Sequence, residues 1–199
     1  SNGLIKNNIK SLFCSSNNDL WIAADTGISL LRNGVFTNFN VSNGLTFPLV
    51  SDFIEDDNGT IWIAHNKGVS KYNGTSFTHI ILSPDSIPAT CLTKDNLGNI
   101  LIGTNGRGIY VFYGGGILNI GNSEGLTGLI IRDIAVNSHN DYAIATTSGV
   151  FVRRNNNFIT LGIQQGYLIS SSTFFLFLDK FGKSWFSSAS TTNGIYVLN

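Results

Sequence analysis

Residues 62–68 read WIAHNKG, and four other segments of the 199-residue chain repeat this pattern. The copies begin at Trp21, Leu101, Ala143 and Trp185, so that successive segments start 39 to 42 residues apart. A period of about 40–45 residues is typical of arrays in which each repeat folds into one four-stranded sheet. The chain is therefore expected to contain five equivalent sheets.

The columns of the aligned repeats alternate as buried strands require. Nine positions before the first residue of each segment, which we call the anchor, stands an apolar column: Leu12, Phe53, Leu92, Ile134 and Leu176. Glycine or asparagine, which tolerates positive φ, stands three positions before each anchor and predicts a tight turn. A glycine ends each segment and is expected to open a third strand: Gly27, Gly68, Gly108, Gly149 and Gly194. The tryptophans Trp21, Trp62 and Trp185 share the anchor column, so we predict that they are structural.

Such sheets cannot bury both faces alone and must stack on one another. We therefore predict an all-β fold, a β-propeller of four-stranded antiparallel blades forming a single region over 1–199. The blades are expected at 8–39, 49–80, 88–120, 130–161 and 170–199, the last without its outer strand. Two arrangements stay open, an arc of a larger propeller and a five-bladed disc. An arc would expose blade edges and faces that promote self-association.

Residues 56–64, DDNGTIWIA, and the linker Asn43-Gly44-Leu45 resemble the two-component regulator propeller repeat. The resemblance extends over about five repeats, although the fourth has Ala143 in place of tryptophan. In that family such repeats form the extracytoplasmic sensor region of hybrid histidine kinases, mainly in bacteria that live on polysaccharides. The resemblance implies oligosaccharide sensing in signal transduction, on the periplasmic or extracellular side of a bacterial inner membrane. A kinase domain would lie elsewhere in a parent protein.

Composition argues against several other functions. Twelve basic residues balance twelve acidic ones, and they are dispersed, so nothing favours nucleic acid. No apolar run approaches the roughly 20 residues that cross a bilayer, which argues against direct membrane insertion. The glycine-rich segments 106–108 and 114–116 lack the helix that a phosphate-binding loop requires, and no cofactor is expected. Cys14 and Cys91 fall in non-adjacent repeats and are predicted to be free core thiols.

Strand parity places the turn after each second strand and the linker to the next repeat at one end of each sheet, which we call the loop end. Variable polar residues gather there, where recognition is usually found on a rigid scaffold. The candidate ligand-binding residues are Asp25, His65, Lys67, Asn105, Arg107 and Tyr167. For any single one of them, a solvated loop position is the simpler interpretation. The expected partner is an oligosaccharide or a neighbouring sensor domain.

The opposite end repeats itself in the turns that begin at Asp56, Asp95 and Asp179. Each turn offers too few carboxylates for calcium, so we interpret the aspartates as turn residues that bond to the backbone. His65, His79 and His139 do not converge in the repeat, and we predict neither a metal site nor a catalytic centre. Two alternatives to a sensor remain, namely a propeller scaffold for another protein and a propeller lyase or hydrolase.

Overall fold

A computed structural model of the chain describes residues 3–155, 157–161, 173–178, 183–188 and 194–198. Its strands are β1 (Ile9–Cys14), β2 (Leu20–Ala24), β3 (Gly27–Arg32), β4 (Val35–Phe39), β5 (Val50–Glu55), β6 (Ile61–His65), β7 (Gly68–Tyr72), β8 (Phe77–Ile80), β9 (Ala89–Lys94), β10 (Ile100–Thr104), β11 (Ile109–Tyr113), β12 (Gly116–Ile120), β13 (Ile131–Val136), β14 (Tyr142–Thr146), β15 (Gly149–Arg154), β16 (Asn157–Leu161), β17 (Thr173–Leu178), β18 (Ser184–Ser188) and β19 (Gly194–Leu198).

Strands that follow one another in the chain are neighbours in every sheet. Sheets 1 to 4 take four strands each, β1–β4, β5–β8, β9–β12 and β13–β16, and sheet 5 consists of β17–β19 among the described residues. One sheet lies in each of the five predicted blades. The chain divides into two compact units, Ser1–Leu92 and Thr93–Asn199, with the division inside β9.

Aromatic rings form the core of the first unit, where sheet 1 packs on sheet 2. Trp21 of β2 is 1% exposed and stacks on Phe39, with ring centroids 6.3 Å apart. From sheet 2, Phe53 and Tyr72 approach the same indole at 6.1 and 5.4 Å. In the second unit, Leu176 of sheet 5 packs with the small residues Ala143 and Ala145 of sheet 4. Phe53 and Leu176, which occupy the same column of the repeat, thus each pack on the sheet that precedes their own.

Backbone conformation follows the predicted turn columns. Asn18, Gly59, Gly98 and Asn140 all have positive φ, between 60° and 80°. Glycine is required on steric grounds at Gly108, where φ is +71° and an added Cβ would lie 2.3 Å from the carbonyl oxygen of Ile120. The corresponding Gly194, like Gly27, Gly68 and Gly149, begins a third strand.

The two Gly-Leu linkers contain matching 3₁₀ turns, at Val41–Asn43 and Asn122–Glu124. Asn43 accepts a hydrogen bond from the backbone N–H of Asn40 at 2.6 Å, and Glu124 accepts one from that of Gly121 at 2.7 Å. Each turn ends on a left-handed glycine, and the next residue, Leu45 or Leu126, is fully buried. The linker motif therefore inserts a leucine into the core of its own unit.

Two aspartates each accept a backbone N–H from the next repeat of the chain, a role that the sequence did not reveal. Asp52 Oδ2 accepts the backbone N–H of Leu92 at 2.8 Å, and Asp133 Oδ2 accepts that of Leu176 at 2.8 Å. β17 is an edge strand of sheet 5, so alternate backbone N–H groups on it point away from β18 and can reach an acceptor in another sheet. Burial raises the pKa of Asp133, although the backbone hydrogen bonds that its carboxylate accepts from Leu176 and Ile134 act to lower the pKa.

Three predicted core residues lie at the surface instead. Trp185 is 38% exposed while Trp21 and Trp62 are 1% exposed, and Leu12 is 62% exposed while Phe53, in the same column, is 3% exposed. Both cysteines are free, as predicted, but Cys14 is exposed and only Cys91 is buried.

Candidate functional site

A shallow basin of about 580 Å³ lies at the loop end of sheet 1 in the first unit. Ile5, Val41 and Pro48 supply apolar surface to it. Its polar lining is Lys6, Asp25, Thr26, Asn40 and Ser42. The basin therefore combines the turn between β2 and β3 with the linker that follows β4, as the strand parity predicted for the loop end. Of the six candidate ligand residues, Asp25 is the one in its lining.

Asp25 carries a charge that a ligand could reach. Its Oδ1 lies 3.1 Å from Nζ of Lys10, and both side chains are close to half exposed. The hydrogen bond from Lys10 lowers the pKa of the Asp25 carboxyl, and Asn8 and Lys6 add to this shift while desolvation opposes it. Lys6 in the lining of the basin and Lys10, which is paired with Asp25, place two positive charges near one carboxylate. Such a rim offers hydrogen-bond acceptors and donors side by side.

His65 does not reach the surface, since its exposed fraction is 0%. Its ring stacks on Phe47, with centroids 4.7 Å apart, and lies 5.3 Å from the ring of His79. The prediction that the histidines do not converge is therefore wrong for this pair, because the outer strand β8 brings His79 beside the end of β6. The Nδ1 of His65 accepts the backbone N–H of Lys67 at 3.2 Å, which leaves Nε2 to donate to the Ser70 hydroxyl at 3.0 Å. Burial, together with the nearby charge of His79, lowers the pKa of His65 from 6.5 to about 4. The imidazole is therefore neutral at neutral pH.

The neighbouring repeats explain this role of His65. At the same column Thr104 and Thr146 are also fully buried, and their hydroxyls accept the backbone N–H of Arg107 and Ser148. Each hydroxyl also donates to the carbonyl of the glycine that closes its turn, Gly108 or Gly149. His65 is thus a cap of the turn after β6. A ligand at this turn could contact the exposed neighbours Asn66 and Lys67 but not the buried His65. The loop position alone had suggested recognition.

The other candidate residues divide between the units. Lys67 is exposed in the first unit, and Asn105 and Arg107 are exposed in the second, in the turn between β10 and β11. Tyr167 lies outside the described residues. Glu124, another residue of the loop end, is used within its linker, where hydrogen bonds from the Gly121 backbone and from Ser123 lower its pKa.

The turns at the opposite end of the sheets are structural, as predicted. Asp56 Oδ1 accepts the backbone N–H groups of Asn58 and Thr60, each at 3.0 Å, and its Oδ2 accepts Nε1 of Trp62 at 2.9 Å. Burial acts to raise the pKa of Asp56, but these hydrogen bonds outweigh it and lower the pKa. Asp95 accepts the backbone N–H groups of its turn in the same way and also the hydroxyl of Tyr142, at 2.9 Å. Asp179 lies outside the described residues.

Within the described part of the chain, no three His, Cys, Asp or Glu side chains are grouped closely enough to hold a metal ion. A membrane-spanning helix is likewise not found among those residues.

The architecture is similar to that of several solved propeller structures. The extracellular domain of BT3049 from B. thetaiotaomicron, assigned as a hybrid two component system, superposes with a TM-score of 0.80 and 20% identity over 100% of this chain and 29% of that one. Virginiamycin B lyase from Staphylococcus aureus gives a TM-score of 0.76 and 12% identity over 98% of this chain and 71% of the lyase. The WD40 β-propeller domain of Doa1 gives 0.68 and 11% identity over 96% of this chain and 65% of that one.

These similarities confirm the predicted propeller fold. The extracellular domain of BT3049 superposes over the whole of this chain, and at 20% identity this similarity concerns the fold. The chain spans less than a third of the length of that structure. No family model and no curated protein sequence matches the chain.

Proposed function

We propose that the chain is a non-catalytic, ligand-sensing part of a two-component-system sensor and that it binds an oligosaccharide at the loop end of sheet 1. The observation that carries the proposal is the basin beside Asp25, which joins apolar surface to a charged and hydroxylated rim. The structural similarity to the extracellular domain of BT3049 supports the sensor context. In that context the chain would lie on the periplasmic or extracellular side of the membrane.

The basin has the chemistry that a sugar requires. A sugar ring presents C–H groups on one side, which suit Ile5, Val41 and Pro48, and hydroxyls at its edge. Those hydroxyls can donate to the Asp25 carboxylate and accept from Lys6 or Thr26, and charge-assisted hydrogen bonds are the stronger kind. Lys6 in the lining and Lys10 beside Asp25 favour a sugar that carries a carboxylate over a neutral one. We therefore infer that an acidic oligosaccharide binds more tightly than its neutral counterpart.

A lyase or hydrolase activity has weaker support. The lyase similarity is at 12% identity and concerns the fold. The first unit does bring together two histidines, but His65 is buried and its hydrogen bonds hold a turn. A general base needs to reach a substrate proton, and His65 cannot do so from this position.

Isothermal titration calorimetry against neutral and uronic-acid-containing oligosaccharides tests the proposal. We expect Asp25→Asn to weaken binding of the ligand by about tenfold, the effect of losing one charge-assisted hydrogen bond. Asp57→Asn is the matched control, because Asp57 is an exposed carboxylate in the turn between β5 and β6, away from the loop end. It should leave the affinity unchanged.

Two results would overturn the proposal. Absence of heat across a broad panel of glycans would exclude oligosaccharide sensing by this chain. Equal losses of affinity in the Asp25 and Asp57 variants would show that the sugar binds elsewhere. A preference for neutral over acidic glycans would contradict the inferred class of ligand but leave the basin as the site.

A further inference from the structure

A cavity of about 190 Å³ lies in the first unit between sheets 1 and 2, at the end of the sheets opposite the loop end. Ser15 and Trp21 line it from sheet 1, and Ile61 and Tyr72 line it from sheet 2. The cavity is larger than the space that one water needs and smaller than the pockets that hold drug-sized molecules. Its size therefore suits a small organic molecule.

One buried polar group in the lining has no hydrogen-bond partner. Trp21 is 1% exposed, and its Nε1–H finds no acceptor among the described residues. A buried indole N–H usually has an acceptor, and one without an acceptor needs a physical explanation. A ligand in the cavity that brings an oxygen to Trp21 would supply it.

The repeat shows why the Trp21 N–H has no acceptor. In sheet 2 the equivalent Nε1–H of Trp62 donates to Oδ2 of Asp56, six residues earlier, at 2.9 Å. Ser15 stands at that position in sheet 1. Its hydroxyl accepts the backbone N–H four residues further on at 3.2 Å, as Oδ1 of Asp56 does at 3.0 Å. Serine thus keeps the turn but supplies no second oxygen for the indole.

The second unit fills the corresponding place with a side chain of its own. Tyr142, directly before the anchor of sheet 4, donates its hydroxyl to Oδ2 of Asp95 in the turn of sheet 3 at 2.9 Å. The residue directly before the anchor of sheet 2 is Ile61, whose shorter side chain carries no hydroxyl. A phenol group therefore completes the contact between neighbouring sheets in the second unit, and the chain has none at the equivalent position of the first.

The charged groups around the cavity favour a neutral ligand. Asp19 holds Arg32 through two hydrogen bonds, Nε to Oδ1 at 2.9 Å and Nη2 to Oδ2 at 2.6 Å, so these two charges compensate each other. Glu55, also in the lining, adds a second carboxylate, which accepts the backbone N–H and the hydroxyl of Ser16. This excess of negative charge repels an anion, and an ammonium group offers no acceptor to the Trp21 N–H.

We propose that the cavity binds a small neutral phenol, whose hydroxyl oxygen accepts the Nε1–H of Trp21 and whose ring lies against Ile61 and Tyr72. A phenol hydroxyl accepts and donates at the same time, so it suits a lining that holds an unpaired N–H beside carboxylates. The contact of Tyr142 with Asp95 is the template within the same chain. Because the cavity lies at the opposite end from the basin beside Asp25, this inference does not rest on the proposed oligosaccharide binding.

Titration of the whole, ¹⁵N-labelled chain with para-cresol, which is the tyrosine side chain as a free molecule, tests the inference. ¹H–¹⁵N correlation spectra follow the indole N–H resonances, and Trp21→Phe identifies the one that belongs to Trp21. We expect that resonance to shift saturably, while the resonance of Trp62, whose N–H is bound to Asp56, stays in place. Toluene, which lacks the hydroxyl, should bind at least about tenfold more weakly.

Ser15→Asp gives sheet 1 the carboxylate that binds the indole N–H in sheet 2. The variant should move the Trp21 resonance without any ligand and should bind para-cresol at least about tenfold more weakly. Ser138→Asp is the matched control, because Ser138 is an exposed residue of the corresponding turn of sheet 4. It should bind para-cresol like the unaltered chain, and circular dichroism verifies that each variant is folded.

A Trp21 resonance that para-cresol leaves unchanged, as it would if water alone filled the cavity, would overturn the inference. Equal affinities for toluene and para-cresol, or undiminished binding by Ser15→Asp, would do the same, because the indole N–H would then not recognise the hydroxyl. Saturation by glycerol but not by para-cresol would also overturn it, since the site would then take a polyol.

Discussion

Acidification should destabilise the protein through His65. In the folded state its pKa is lowered to about 4, while in the unfolded chain it returns to 6.5. At a pH between these two pKa values, His65 is protonated in the unfolded chain but neutral in the folded one. The contribution of His65 to the free energy of unfolding is therefore fully present above pH 6.5 and is lost as the pH falls toward 4. From pH 7 to pH 5 the loss is about 2 kcal/mol, and the full difference in pKa corresponds to about 3 kcal/mol.

The variant His65→Thr isolates this effect, because threonine is the residue that caps the equivalent turns at positions 104 and 146. Urea unfolding followed by circular dichroism at the two pH values gives the stability lost by each protein. Carboxylates that titrate in the same range contribute equally to both and cancel. We expect the unaltered chain to lose about 2 kcal/mol more than the variant. Equal losses would refute the assignment of a buried neutral imidazole.

Further changes test the packing and the turns by thermal unfolding. Asp56→Ala should cost about 2–3 kcal/mol, since it leaves Nε1 of Trp62 and two backbone N–H groups without their acceptor, whereas Asp57→Ala should cost less than about 1 kcal/mol. Gly108→Ala should cost well over the ~1–2 kcal/mol of a left-handed residue, because the added Cβ would meet the carbonyl of Ile120. Gly34→Ala, which has open space around it, should cost only about 1–2 kcal/mol. Similar costs for the two variants would contradict the steric clash at Gly108. Asp133→Ala should cost about 1–3 kcal/mol by removing the acceptor of the Leu176 N–H, and Asp133→Asn should recover most of it if a neutral acceptor suffices at this buried position.

The sequence was sufficient for the fold because the repeat supplies the same evidence five times. Glycine or asparagine three positions before each anchor predicted positive φ, and the structure has it at all four described positions. The aspartate at Asp56 was interpreted as a turn residue, and its carboxylate accepts two backbone N–H groups of that turn. The same turn conformation recurs in the four repeats whose turn is described, so an assignment made in one repeat can be checked against the equivalent position in the others.

Contacts that depend on neighbouring sheets were harder to predict. A column says which face a residue occupies but not how deeply the residue is buried, and for this reason Leu12 and Trp185 were assigned to the core although they are 62% and 38% exposed. Asp52 and Asp133 were missed because their role depends on the amide of a residue in the next repeat, about 40 positions away. Acidic residues on an inner strand carry no local sign of such a contact.

The repeat also helps to separate structural residues from those available for recognition at the loop end. A side chain that accepts the same backbone hydrogen bond as the residue at its column in another repeat has a structural role. His65 shares such a bond with Thr104, and Glu124 shares one with Asn43. Thr146 caps its turn in the same way as His65. Asp25 has no such counterpart, because its carboxylate holds Lys10 beside a basin and caps no turn in the described contacts. A group held at the surface by a single, screened ion pair exchanges partners at little cost. For that reason Asp25, rather than the more conspicuous histidine, is where a ligand should first be sought.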